Sequence, residues 1–164
     1  MDKKKIVVID DEKDVCFLIK TTLEKAGQIE VSEAHDGLAG LDLCRKVKPD
    51  LIFLDYVMPK ASGDKVILAL KKDPELSAIP VVVLSGLGEM IYSRTKDHWN
   101  WLPNNPAVRH RGEVPSPLAD KKEKDSVVAQ ALGVKDFLRK PLSRELLVQV
   151  ANSILKIGEA PKES

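Results

Sequence analysis

Cysteine is nearly absent from this chain: Cys16 and Cys44 are the two among 164 residues. They are too few for a disulfide framework and lack metal-ligand spacing, so both read as buried free thiols of a protein kept in a reducing cytosol. Net charge is equally lacking. With 26 Lys and Arg against 25 Asp and Glu, no overall field favours nucleic acid or an anionic membrane, and DNA binding would need a local patch. No apolar run approaches the roughly 18 to 20 residues that cross a bilayer. The apolar part of the start, Ile6-Val-Val-Ile9, is too short for a signal peptide. At this length one domain with a real core fits, and a second would be a squeeze.

Short Val/Ile/Leu runs alternate with longer segments of helical period, which argues for βα units around a parallel sheet. The runs predict strands at 5–9, 29–33, 50–54, 80–84 and 134–138. Between the first two, Val15, Leu18, Ile19, Thr22 and Ala26 form a helical stripe that Gly27 stops. A second helix follows Asp36-Gly37 and carries Gly40, Leu41, Cys44 and Val47. A third, 64–72, carries Val66, Ile67 and Leu70 and ends at Asp73-Pro74. Ser143 stands where an N-cap belongs, ahead of a last helix that buries Leu147, Val150, Ala151 and Ile154. A polar tail, 158–164, follows, and nothing after residue 157 reads as an output domain.

One connection breaks the rhythm. Lys140 follows Ser85 by 55 positions, where a helix, two short loops and a strand take about 25. The surplus, 90–122, holds Trp99, Trp101, Tyr92, His98, His110 and four of the ten prolines, with six basic residues against three acidic ones. It reads as an irregular insertion within a single domain, 1–157, and not as a domain of its own. A helix at 123–132, with Val128, Ala131 and Leu132 as its stripe and Gly133 as its stop, resumes the pattern.

Asp55 closes the apolar run Leu51-Ile-Phe-Leu54. A carboxylate leaving a dry strand needs partners or a job. Parallel sheets gather strand carboxyl ends along one edge, so Asp10 and Asp11 after the first strand and Lys140 after the last can share a crevice with it. Three acids brought together repel unless a hard cation sits among them, and an oxygen-only donor set suits Mg²⁺ with a substrate phosphate. Lys140 offers such a phosphate positive charge, and Ser85, at the end of Val81-Val-Val-Leu84, offers a hydroxyl.

Taken in order, Asp10-Asp11, Asp55-Tyr-Val-Met-Pro59 with Gly63, Ser85-Gly86 and Phe137-Leu-Arg-Lys140-Pro141 resemble the receiver domain of two-component response regulators. The resemblance spans residues 4–89 and 123–157. It implies a flavodoxin-like, doubly wound, three-layer α/β fold with a five-stranded parallel sheet in the order 2-1-3-4-5. It further implies that Asp55 is the phosphoacceptor for a phosphohistidine of a sensor histidine kinase or phosphotransfer protein. Asp11, Asp55 and the main-chain carbonyl of Val57 would bind Mg²⁺, with Asp10 acting through water and charge. Lys140, the Ser85 hydroxyl and the Gly86 N–H would cradle the phosphoryl group, and Ser85 and Phe137 would form the switch. Output would be protein contact through 123–157 and the insertion, by a monomer or a phosphorylation-dependent dimer. The chain would be no enzyme beyond its own aspartyl phosphorylation, and neither nucleic acid nor membrane is expected as a partner. Val57 and Leu87 are apolar where fast-decaying relatives position a hydrolytic water, which implies slow loss of phosphate.

Each mark has a plainer reading. Asp10-Asp11 can cap the first helix, Lys140-Pro141 can be a strand exit, Phe137 a core aromatic, Ser85 a loop former and His35 a surface residue. His98 and His110 can bind a metal, and Trp99-x-Trp101 with its arginines can dock a protein or single-stranded nucleic acid. An Asp-nucleophile phosphatase is one rival, although it would want Asp-x-Asp on one strand; an interaction module that keeps the pocket without phosphorylation is the other.

Overall fold

The computed structural model describes residues 2–58, 60–85, 91–95, 98–102 and 133–158, with side chains except at Ser85 and in the segments 91–95 and 98–102. Five strands, β1 (Lys4–Ile9), β2 (Ile29–Ala34), β3 (Leu51–Asp55), β4 (Val81–Ser85) and β7 (Asp136–Arg139), form one sheet in the order β2-β1-β3-β4-β7. Every pairing in it is parallel. In main-sheet numbering this is the expected 2-1-3-4-5.

Residues 6–9 of β1 and all of β3 are buried on both faces, as unbroken Val/Ile/Leu runs demand. Their side chains alternate between two cores. Val7, Ile9, Ile52, Leu54 and Val83 meet Leu41 and Cys44 of α2 (Gly37–Val47) and Val66, Ile67 and Leu70 of α3 (Gly63–Lys72). Ile6, Val8, Leu51, Phe53, Val82 and Leu84 meet Cys16, Ile19 and Leu23 of α1 (Lys13–Lys25) and Leu147, Ala151 and Leu155 of α4 (Arg144–Leu155). Three layers result, and each fully buried Leu or Ile contributes on the order of 1.5–3 kcal/mol.

The α1 stripe is rotated from its expected position. Cys16 and Leu23 are buried while Ala26 is exposed and forms the C-cap, because a free thiol packs as a small hydrophobe. Gly27, at φ +78, ends the helix as its sequence position predicts. Asp36 accepts a hydrogen bond from Ala39 N at 2.8 Å and Ser143 one from Leu146 N at 3.3 Å, so both caps form. In α4, Leu147 and Ala151 are buried as expected, whereas Val150 and Ile154 are half-buried and Leu155 completes the contact. β7 begins at Asp136, two residues later than predicted.

The segment expected to be irregular contains an antiparallel pair, β5 (Ile91–Thr95) and β6 (His98–Leu102), in register Tyr92↔Trp101 and Arg94↔Trp99. Its mark in the sequence was the period-2 placement of Trp99 and Trp101 with Tyr92. Among the described residues these strands pair only with each other. The rest of 90–122 and the expected helix at 123–132 lie outside the described residues. Among those described, no helix is long and apolar enough to cross a membrane.

Candidate functional site

The chain turns from β1 to β2 on one side and to β3 on the other, so the crevice at a topological switch point opens between the carboxyl ends of β1 and β3. Asp10 follows β1, its N–H tied to the Ala34 carbonyl at 3.1 Å. Asp55 is the last residue of β3, opposite Leu84 of β4. Tyr56 N donates to Leu84 O at 3.0 Å and Gly63 N to Tyr56 O at 2.8 Å, which anchors the loop after Asp55 at both ends. No side chain fits at Gly63: a Cβ there would stand 2.7 Å from Tyr56 Cα. Val57, in that loop, is exposed.

Asp10, Asp11 and Asp55 each place a carboxylate oxygen within 4.8 Å of the others. Asp10 is fully buried, Asp55 is 4% exposed and Asp11 is open to solvent. Lys140, one residue beyond β7 and 11% exposed along its side chain, completes the group. Its Nζ lies 2.8 Å from Asp10 Oδ2, 3.0 Å from Glu12 Oε1 and 3.7 Å from Asp55 Oδ1. The Lys140–Pro141 peptide is cis. Asp10 does not cap α1. The N-cap is Glu12, which makes no side-chain cap bond, while Asp10 Oδ1 accepts from Glu12 N at 2.9 Å.

Electrostatics follow from this crowding. Burial first, then the Asp10 charge, pushes the Asp55 carboxyl up to about 7 against the pull of Lys140; a hydrogen bond with Asp11 and its charge add to the rise. Burial also raises Asp10, again opposed by Lys140. Burial alone would lower the Lys140 ammonium, but its close contacts with Asp10 and Glu12 and the carboxylate charges hold it above its ordinary value. One ammonium thus faces three acids that it cannot neutralise. Three carboxylates crowded this closely, with Asp10 and Asp55 both raised, form an oxygen-only set that a hard divalent cation would relieve.

Phe137 is buried in β7 opposite Val83, 4% exposed, in the α2/α3 core. Ser85 pairs with Arg139, beside Lys140, at the backbone level; its hydroxyl, Gly86 and Leu87 lie outside what is described. So do the side chains of His98, Trp99 and Trp101, and all of His110. Two contacts had gone unread in the sequence. Glu12 reaches Lys140 across 128 positions, and His35 Nδ1 lies 3.2 Å from the Asp10 carbonyl. Adjacency to the acidic pair was the one available signal for Glu12. Cys16 and Cys44 are free and buried, with both thiols pushed up to about 12 by burial first of all, so neither is a nucleophile.

The chain is similar to known proteins in sequence and in fold. The family described as response regulator receiver domain matches residues 6–95. The protein PilH of Pseudomonas aeruginosa is 30% identical over 151 residues, covering 92% of this chain and 97% of PilH. The DNA-binding regulator RpaA of Synechocystis is 38% identical over 86 residues, 52% of this chain but 35% of RpaA. Among solved structures, chemotaxis protein CheY4 of Vibrio cholerae aligns with a TM-score of 0.63 at 21% identity, over 93% of this chain and 98% of CheY4. A response regulator of Chloroflexus aurantiacus aligns at 0.66 and 19%, over 94% and 99%. These structural likenesses support the fold. The chain belongs to the response regulator receiver family of two-component signalling.

Proposed function

We propose that this receiver accepts a phosphoryl group on Asp55 from a phosphohistidine of a sensor kinase or phosphotransfer protein, with Mg²⁺ bound by Asp11, Asp55 and the Val57 carbonyl. The observation that carries this is the meeting of Lys140 with Asp10 and Asp55 at the crevice edge, at 2.8 and 3.7 Å. An Asp55 carboxylate oxygen attacks phosphorus; the P–O bond forms as the P–N bond breaks, and the electron pair leaves on the imidazole nitrogen. Lys140 neutralises charge on the transferring oxygens, and the Ser85 hydroxyl and Gly86 N–H complete the cradle. When bound there, Mg²⁺ would supply charge neutralisation that favours the ionised Asp55 carboxylate. Asp10 keeps Lys140 in place and acts on the ion through its charge.

Exposed apolar side chains lie on elements that adjoin the carboxyl edge of the sheet. Phe17, Leu38, Val57 and Leu146 are exposed, one in the second turn of α1, one in the first turn of α2, one after β3 and one in the first turn of α4. Exposed apolar side chains of this kind suit contact with a protein donor in the cytoplasm. Output passes by protein contact through 123–157, and the chain turns over no free substrate. Intact mass after incubation with Mg²⁺ and a small phosphodonor tests this: one added phosphoryl group is expected on the wild type and none on Asp55→Asn. An unmodified wild type, or an equal adduct on the variant, defeats it.

A further inference from the structure

An ammonium has three N–H donors, and in Lys140 the two short contacts go to Asp10 and Glu12. The third acceptor, Asp55 Oδ1, is 3.7 Å away, beyond hydrogen-bond length. Glu12 is placed for this by its backbone. It occupies the N-cap of α1, where an acidic side chain ordinarily turns back to a free N–H, yet it makes no cap bond and extends to Lys140. Its own N–H donates to Asp10 Oδ1 while Lys140 meets Asp10 Oδ2. Asp10, Glu12 and Lys140 therefore close a three-residue ring beside the phosphoacceptor.

The two acids in that ring differ in one respect. Asp10 has no solvent to turn to, whereas the Glu12 side chain is 60% exposed. An exposed carboxylate holds an ammonium weakly and gives it up readily. A phosphoryl group arriving at Asp55 brings further negative charge within reach of the same ammonium. Glu12 is then the partner that can let go.

We propose that Glu12 is a positioning residue that parks the Lys140 ammonium on the Asp10 side of the crevice and releases it when a phosphoryl group reaches Asp55, a role that rests on Asp55 being the phosphoacceptor. Removing the Glu12 charge frees Lys140 before the phosphate arrives. Glu12→Gln keeps the size and loses the charge; Asp14→Asn, an exposed acid in the first turn of α1, makes the same change in net charge away from Lys140.

Two measurements test this. The first is calorimetric titration with beryllofluoride, a phosphoryl mimic, at saturating Mg²⁺. Glu12→Gln is expected to bind it about two- to fivefold more tightly than wild type, the range of an exposed ion pair, with Asp14→Asn unchanged. Equal or weaker binding by Glu12→Gln, or an equal gain in Asp14→Asn, overturns the proposal. The second is a crystal structure of metal-free Glu12→Gln, which needs no phosphorylation. Lys140 Nζ should move from 3.7 Å to about 2.8–3.0 Å from Asp55; an unmoved ammonium rejects the parking role. Should the wild type bind no beryllofluoride, the phosphoacceptor reading fails by itself, and the crystal structure still decides what Glu12 does.

Discussion

Lys140 and Asp55 face each other at 3.7 Å across the crevice, close enough for attraction and too far for a hydrogen bond. In that position the ammonium offsets part of the acidic cluster and still has a donor to give. Lys140→Met should cut the initial rate of Asp55 phosphorylation by a small phosphodonor about 100-fold, the scale of losing one preorganised charge donor. Time-resolved intact mass reads this directly.

The raised Asp55 carboxyl makes stability depend on pH. Its value of about 7 lies above the ordinary 3.8, so between those limits the folded protein binds more protons than the unfolded chain. Its contribution is fully present at low pH and lost as pH rises through about 7. Thermal melts of the metal-free protein should show Asp55→Asn gaining on the wild type from about pH 5 to about pH 8, by a few kcal/mol. Saturating Mg²⁺ should narrow the gap, since a ligand at 100 times its Kd adds about 2.7 kcal/mol to the wild type.

Gly63 tests the loop that Asp55 opens. In Gly63→Ala the new methyl would meet the Tyr56 main chain, at 2.7 Å from its Cα and 3.0 Å from its carbonyl oxygen. A cost of about 1–3 kcal/mol in urea unfolding is expected, together with slower phosphorylation as the loop shifts.

Much of this was legible in the chain itself. An unbroken apolar run ending in Asp55, another ending in Asp10 and the Lys140-Pro141 exit located the crevice, because burial on both faces leaves a parallel strand few other compositions. The Glu12–Lys140 contact was not legible: it joins residues 128 positions apart, and no local period encodes it. The β5/β6 pair escaped for a different reason. Lys96-Asp97, between the paired ends Thr95 and His98, lacks the glycine or asparagine that marks a two-residue hairpin turn.

Decay of the phosphoprotein is expected to take longer than seconds, since the exposed Val57 offers a water no hydrogen bond. Val57→Asn should shorten the lifetime. Intact mass after the donor is removed gives both rates, and an unaltered lifetime in the variant would count against Val57.

Deleting residues 90–122 should leave the five-stranded sheet and Asp55 phosphorylation intact, because β5 and β6 add no strand to it. A melting temperature within a few degrees of the wild type is expected. Loss of a phosphorylation-dependent partner in a pull-down with the deleted protein would assign output to this segment.

Ile91 follows Ser85 by six peptide steps, which at full stretch span about 20 Å. The hairpin is therefore on a short leash whose other end is the strand beside Lys140. A partner that grips the hairpin is held near the Asp55 crevice at a local concentration on the order of millimolar, so a second contact at Asp55 with a Kd below that concentration would be occupied most of the time.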